Sequence, residues 1–444
     1  MKIRTSSMKS LDKNRVVTKE MLMPFILTTS LFALWGFANS VTDPMVQAFK
    51  KVLELSNSQA AWVQTAFYGG YFCMALPAAM FMRKYSYKVG ILIGLGLYAT
   101  GALLFYPAAE TESFIFFCLG LYILTFGLAF LETAANPYIL SMGTKETATQ
   151  RLNLAQSFNP IGLIAGVVIA QQFVLKNLKS DDIEDFSVLD DTAKILIKTS
   201  DLMVIRNPYV ILGLVISAVF VIFLVSKMPQ AKDEGAMPKM SETFSVLFKN
   251  KKYVLGVLAQ IFHVGCLIMT WTYVYQYAEV IGISSADTVN YQIAAFVIFF
   301  VGRAIGTALL RKVSAGKLLK NFAVLGAIAA AGAIFIQGMV GFYCLISISF
   351  FMSLMFPTIY GIALGGLTEE QSKVGSAGLI MAIVGGAFFP KLQALIIDIG
   401  GNGSADTTIL GVPEIKFSYI LPMICFLYIA WYGLYVSKNM SHRH

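Results

Sequence analysis

Charge is what this chain has least of. Asp, Glu, Lys and Arg make up 13% of its 444 residues, about half the ~25% of an ordinary soluble domain. A body of that size could not cover a water-facing surface with so little charge. Intrinsic disorder is excluded too, because disordered chains are rich in charge and poor in apolar residues. Histidine is scarcer still. Of three in all, two lie in the last three residues, so a His-based metal site is not expected. The five cysteines, Cys73, Cys118, Cys266, Cys344 and Cys425, all sit inside apolar runs. They have no metal-ligand spacing, form no disulfide framework and read as small packing residues. Catalytic signatures are missing as well. There is no Walker-type phosphate loop, no Gly-x-Ser-x-Gly and no metalloprotease motif. The chain is therefore not expected to be an enzyme, to hold a cofactor or to burn a nucleotide.

What is present is oil. Hydrophobic types reach 57%, in runs of roughly twenty residues, enough to cross about 30 Å of hydrocarbon as helix. The runs fall near 24–49, 59–82, 89–108, 113–140, 152–175, 208–227, 253–278, 287–310, 318–338, 341–366, 374–397 and 416–437. None alternates as barrel strands do, so the expectation is an all-α membrane protein with twelve transmembrane helices. Residues 1–23 are polar and basic, and the first run lacks a small-residue cleavage site, so it reads as a retained span.

The net charge of +9 comes from short basic clusters between the runs, and nucleic-acid binding is not read from it. With both termini in the cytoplasm, Lys and Arg on the inner side outnumber those outside by about three to one. Two connections are long. The stretch 228–252 is basic and lies at the midpoint. The stretch 176–207 is acidic, lies outside and reads as a solvated loop.

The midpoint linker divides the spans six and six. Span 2 leaves the membrane through Arg83-Lys84-Tyr85-Ser86 and span 8 through Arg311-Lys312-Val313-Ser314, the same Arg-Lys-x-Ser at the same place in each half. Span 4 is expected to break at Asn136-Pro137-Tyr138 and span 10 at Phe356-Pro357-Thr358. A parallel duplication joined by a cytoplasmic loop is the layout of the major facilitator fold. The expected division is a tail at 1–23, a six-helix bundle at 24–227, a linker at 228–252, a second bundle at 253–437 and a tail at 438–444. Two such bundles can rock and open a midplane site to one side at a time.

Charges inside a bilayer are expensive and mark function by default. Of 25 acids, only Asp43 and Glu132 fall well inside spans, and the one deep base is Arg303. Trp35, Asn39 and Asp43 are spaced i, i+4, i+8 and share a helix face. Glu132 and Asn136 are i, i+4. Asn153, Gln156 and Asn159 follow at intervals of three. Amides bond ring hydroxyls and aromatics pack on an apolar ring face, so this set suits a sugar. A carboxyl group in low dielectric is penalised only when charged, so Asp43 and Glu132 are candidates for taking up and releasing a proton. Plainer readings stand beside these. Glu132 could be a structural partner of Arg303, Asp43 a helix cap, and the amides interhelical glue. His263 reads as a satisfied polar residue before a proton relay.

At these residues the chain resembles the L-fucose:proton symporter family of sugar permeases. The matching segments are Leu34-Trp35-Gly36 through Asp43, Ala66 through Tyr71, Leu131-Glu132-Thr133-Ala134-Ala135-Asn136-Pro137, Arg151-Leu152-Asn153-Leu154-Ala155-Gln156 and Val301-Gly302-Arg303. The resemblance implies proton-coupled import of a monosaccharide across a bacterial inner membrane. Asp43 and Glu132 would serve coupling and recognition, and Gln156 and Asn159 would face the sugar. Trp35 and Trp271 would be cavity aromatics. Three positions depart from the family pattern. Asn39 is followed by Ser40 rather than a second amide. Span 7 reads Val264-Gly265-Cys266-Leu267 and lacks an amide. Phe356 stands where a tyrosine is usual. The departures leave the coupling acids intact and the sugar open. L-fucose leads, with glucose, galactose or N-acetylglucosamine as alternatives, and a sugar sensor that no longer transports is the rival of another class. The expected partners are the sugar, the proton and the bilayer, with no nucleic acid and a monomeric chain.

Overall fold

The computed structural model describes residues 16–52, 57–179, 190–229, 239–400 and 405–441. Helix dominates them, because a segment in hydrocarbon must satisfy its own backbone hydrogen bonds. Eleven helical segments among the described residues are long and apolar enough to cross a bilayer. A further helix of 28 residues, Asn57–Lys84, occupies the stretch read as span 2. The described helices thus fill all twelve expected positions.

The duplicated Arg-Lys-x-Ser has a local cause. Arg83 and Lys84 lie in the last turn of Asn57–Lys84, where cations favour the negative end of the helix dipole. Ser86 then caps the next helix, Tyr87–Leu103, its hydroxyl accepting from the Val89 amide at 3.2 Å. Ser314 stands at the matching position, in extended backbone ahead of Ala315–Phe335, but its hydroxyl makes no cap bond. The motif stops one helix and starts another.

The prolines behave differently from one another. The expected break in span 4 is absent, for Phe114–Ser141 runs as one helix through Pro137. A proline removes one donor and bends a helix, and packed neighbours in a membrane bundle can absorb that. Span 10 does break, but earlier than expected. Gly338–Met352 ends and Met355–Leu364 begins, so the interruption falls at Ser353 and Leu354. Span 5 is divided as well, into Ala148–Gln156 and Asn159–Ile169. Pro160 and Pro357 have no N–H for the carbonyl four residues back.

The acidic outer stretch is partly helix. Asp190 caps Asp191–Val225 by accepting from Ala193, and the 35-residue helix runs on through span 6. Residues 180–189 of that stretch lie outside the described residues. The midpoint linker carries its own helix, Met240–Lys249, with Thr243 and Leu247 buried. The strands among the described residues form one antiparallel hairpin, Thr408–Ile409 with Val412–Pro413. Its turn residues Leu410 and Gly411 have φ of 53° and 80°, as a two-residue hairpin turn demands. The Glu414 carboxylate pins it by accepting from the Asp406 and Thr407 amides.

The structure groups into two compact units, bounded as Met1–Phe25, Asn136–Ser157 and Ala231–His444 for one, and Ile26–Ala135 and Phe158–Gln230 for the other. The first has a core built on Phe322, Phe342, Leu345, Tyr419 and Phe426. In the second, Phe105 stacks on Tyr209 with centroids 3.8 Å apart. Ile211, Leu214, Val221 and Val225 stand exposed along the span-6 part of Asp191–Val225, an apolar face suited to lipid chains.

Candidate functional site

In the second unit the central group is Glu132, on the helix Phe114–Ser141 and 8% exposed. The Tyr71 hydroxyl donates to its Oε1 at 3.0 Å in a buried bond. A hydroxyl donor to a carboxylate is a charge-assisted bond when the acid is ionised. Gly70, next to Tyr71, makes the approach possible, because a Cβ there would lie 2.8 Å from the Cβ of Thr125.

Trp35 and Asn39 lie on the helix Leu22–Val52. Trp35 is buried and meets Phe32 edge-on at 4.6 Å. Trp35 Nε1 and Asn39 Oδ1 have no hydrogen-bond partner among the described residues. Asp43 belongs to the same helix, one turn further along; its side chain lies outside the described residues. Asn159 opens the second half of span 5, and its Nδ2 donates to the Phe32 carbonyl at 3.2 Å. Glycine sets that contact. A Cβ on Gly36 would overlap the Asn159 carbonyl, and one on Gly162 would overlap the Ala33 carbonyl. The Asn159 amide is thereby held beside the turn that carries Trp35.

The remaining amides lie in the first unit. Gln156 Nε2 donates to Asn136 Oδ1 at 2.8 Å, both residues being buried. Asn153 Nδ2 donates to the Thr149 carbonyl at 3.0 Å and to Thr358 Oγ1 at 3.1 Å. The stripe of Asn153, Gln156 and Asn159 is therefore not one continuous helix face. It straddles the break after Gln156, and its three amides take three different partners. Trp271 is half-buried. Its indole N–H donates to Ser349 Oγ at 3.2 Å, and Phe296 and Phe299 pack edge-on at 4.8 and 5.2 Å.

Two arginines hold this part together. Arg303 is 3% exposed. Its Nε donates to the Ser353 carbonyl at 2.6 Å and its Nη1 to the Gln156 carbonyl at 2.8 Å. The guanidinium also lies 4.6 Å from the Phe299 ring centroid, within cation–π range. Arg151 is fully buried. It donates to the Ile139, Leu140, Val16 and Thr144 carbonyls and to Thr147 Oγ1. Ile139 and Leu140 end the helix Phe114–Ser141, whose last carbonyls have no intrahelical donor. Arg151 satisfies them and anchors the short helix that carries Asn153 and Gln156.

Sequence reasoning did not single out Tyr71, Thr358 or Arg151 as site residues. The Tyr71 bond joins positions 61 apart, and no local spacing announces it. The sequence reading of His263 as a satisfied polar residue does not match the structure. Instead its two ring nitrogens, and both amide atoms of Gln260 one turn away, have no partner among the described residues, although both side chains are fully buried.

Comparison with known proteins bears on this arrangement. The family model for the Major Facilitator Superfamily matches residues 26–396. The L-fucose-proton symporter of Haemophilus influenzae is 53% identical over 433 residues, covering 96% of this chain and 99% of the relative. The glucose/galactose transporter of Brucella abortus is 32% identical, over 94% of this chain and 95% of its own. The crystal structure of an E. coli fucose:proton symporter variant aligns with a TM-score of 0.83 at 32% identity, over 94% of this chain and 98% of that one.

Proposed function

The chain belongs to the major facilitator superfamily, as a multi-pass membrane transporter, and from that premise we propose that it is a proton-coupled symporter importing a monosaccharide, with L-fucose the leading substrate. The observation that carries the reading is Glu132, a lone carboxylate within a span, buried and bonded to the Tyr71 hydroxyl. An acid is expensive in such a place unless it works there. The Haemophilus relative, named an L-fucose-proton symporter at 53% identity, supports the same sugar and the same ion.

In the proposed cycle Asp43 and Glu132 carry the proton. Neutralising a buried acid lowers the penalty of moving it through a dry environment, so protonation permits the loaded carrier to reorient. Release toward the cytoplasm resets it. Trp35, Asn39, Asn136, Gln156, Asn159 and Trp271 read the sugar, amides toward hydroxyls and indoles toward the ring. Arg303 is the base available to pair with a coupling acid at another step. No organic cofactor or metal is needed for this cycle. The bundles at 24–227 and 253–437 alternate the exposure of one site to the two sides of a bacterial inner membrane, with both termini cytoplasmic and the chain acting as a monomer.

Glucose or galactose is the alternative cargo, supported by the Brucella relative and by the departures at Ser40, Cys266 and Phe356. The test is uptake of labelled L-fucose, D-galactose, D-glucose and N-acetylglucosamine into right-side-out vesicles. The reading expects L-fucose to accumulate fastest. Accumulation of glucose or galactose with none of L-fucose would reassign the cargo. Binding without uptake of any of the four would favour the sensor.

A further inference from the structure

Arg303 bonds two carbonyls that share an unusual property. Ser353 lies four residues before Pro357, and Gln156 lies four residues before Pro160. In an unbroken helix each of these carbonyls would receive the N–H four residues on, and proline has none to give. A buried carbonyl left in that state is destabilising. Arg303 supplies both missing donors from one guanidinium, Nε to Ser353 and Nη1 to Gln156. Its own helix, Ser285–Leu309, is thereby joined to the break in span 10 and to the break in span 5. The planar fork suits this task, with several donors at fixed angles, whereas a lysine offers a single point charge.

The consequence reaches the sugar site, and the inference rests on the sugar-transport reading above. Gln156 is at once the residue whose carbonyl Arg303 holds and the residue whose amide bonds Asn136. Ser353 precedes the helix Met355–Leu364, whose Thr358 accepts from Asn153. No ion pair among the described residues includes Arg303. Its described polar partners are backbone, and Phe299 covers one face of the guanidinium.

We propose that Arg303 is a positioning residue for sugar recognition, a clamp across two proline-broken helices that sets the Gln156 amide in register with Asn136. The clamp acts through donor geometry, and charge alone does not replace it.

That distinction yields a rescue test. Wild-type protein and variants are reconstituted into proteoliposomes, and counterflow of labelled L-fucose is followed as a function of concentration. Wild-type counterflow is the control for the sugar reading itself. If wild type exchanges none of the panel sugars, that reading fails on its own, whatever the variants do. With wild type active, R303K and R303Q should each raise KM about tenfold or more, with a smaller change in maximal rate. P160A returns an N–H to the Gln156 carbonyl. In the R303Q background it should recover several-fold of the lost affinity, while G96A, at an unrelated helix position, should not. Wild-type KM in R303K would overturn the clamp, since charge would then suffice. So would a loss in R303Q that P160A leaves untouched. If R303Q does not fold, the comparison is made between R303K and R303K with P160A, and the same two outcomes apply.

Discussion

Tyr71 and Glu132 lie on different helices, 61 positions apart, and meet in a buried hydrogen bond of 3.0 Å from hydroxyl to carboxylate. The bond fixes the acid against a neighbouring helix, in the interior of the bundle. Replacing Glu132 with Gln keeps a side chain of the same shape and an oxygen to accept from Tyr71, but removes the titratable site. E132Q should therefore lose gradient-driven accumulation while sugar exchange partly survives. Y71F should lower accumulation several-fold without abolishing exchange. Comparing net uptake with counterflow in the same vesicles decides it. Wild-type accumulation by E132Q would remove Glu132 from the coupling role.

Asn159 is held by the Phe32 carbonyl through its Nδ2, which leaves its oxygen as the atom to meet a sugar hydroxyl. N159A should weaken sugar affinity by about five- to tenfold, the worth of one neutral hydrogen bond. Equilibrium binding of labelled L-fucose to purified protein measures it. Unchanged affinity would place the sugar against other side chains.

Gly162 has no room for a side chain, because a Cβ would overlap the Ala33 carbonyl. G162A should force spans 1 and 5 apart and destabilise the protein by about 1–3 kcal/mol, the range for overpacking. Thermal unfolding in detergent should show a lowered Tm. G96A is the control, since the nearest atom to a Cβ there is a Phe220 ring carbon at 3.9 Å. Equal stability of the two variants would contradict the close approach.

Glu112 lies in the turn between spans 3 and 4. Burial pushes its carboxyl up, but the hydrogen bond from Thr199 and the nearby Lys198 ammonium outweigh this and hold it below the ordinary carboxylate value. A carboxylate so depressed stabilises the fold above its unfolded value, and the contribution fades as pH falls through the folded one. The group is partly exposed, so the pair contributes only about 0.2–1 kcal/mol. E112Q should lower Tm slightly at neutral pH, and the gap should close on acidification below the carboxylate range. A gap that widens in acid would reverse the assignment.

Much of this architecture was legible in the chain. Apolar runs report the spans because a bilayer leaves little alternative to helix, and Ser86 reports a helix start through cap chemistry. Asn136 and Gln156 were marked by being amides in oil. What stayed hidden is what depends on a partner far along the chain. Pro137 and Pro357 look alike in sequence, yet one sits in a continuous helix and the other follows a break. The Arg303 bonds to Ser353 and Gln156 supply a reason for the second case that no window of neighbouring residues contains. Likewise the amides at intervals of three read as one face, and the break before Pro160 sends them to separate partners.

The central claim is that carbohydrate movement is driven by protons passing through membrane acids. The most direct measurement is uphill uptake of labelled L-fucose into proteoliposomes with an imposed pH gradient, acid outside, before and after a protonophore. The account predicts steep accumulation that collapses to equilibrium once the gradient is dissipated. Accumulation that persists undiminished in the absence of any proton gradient would contradict it.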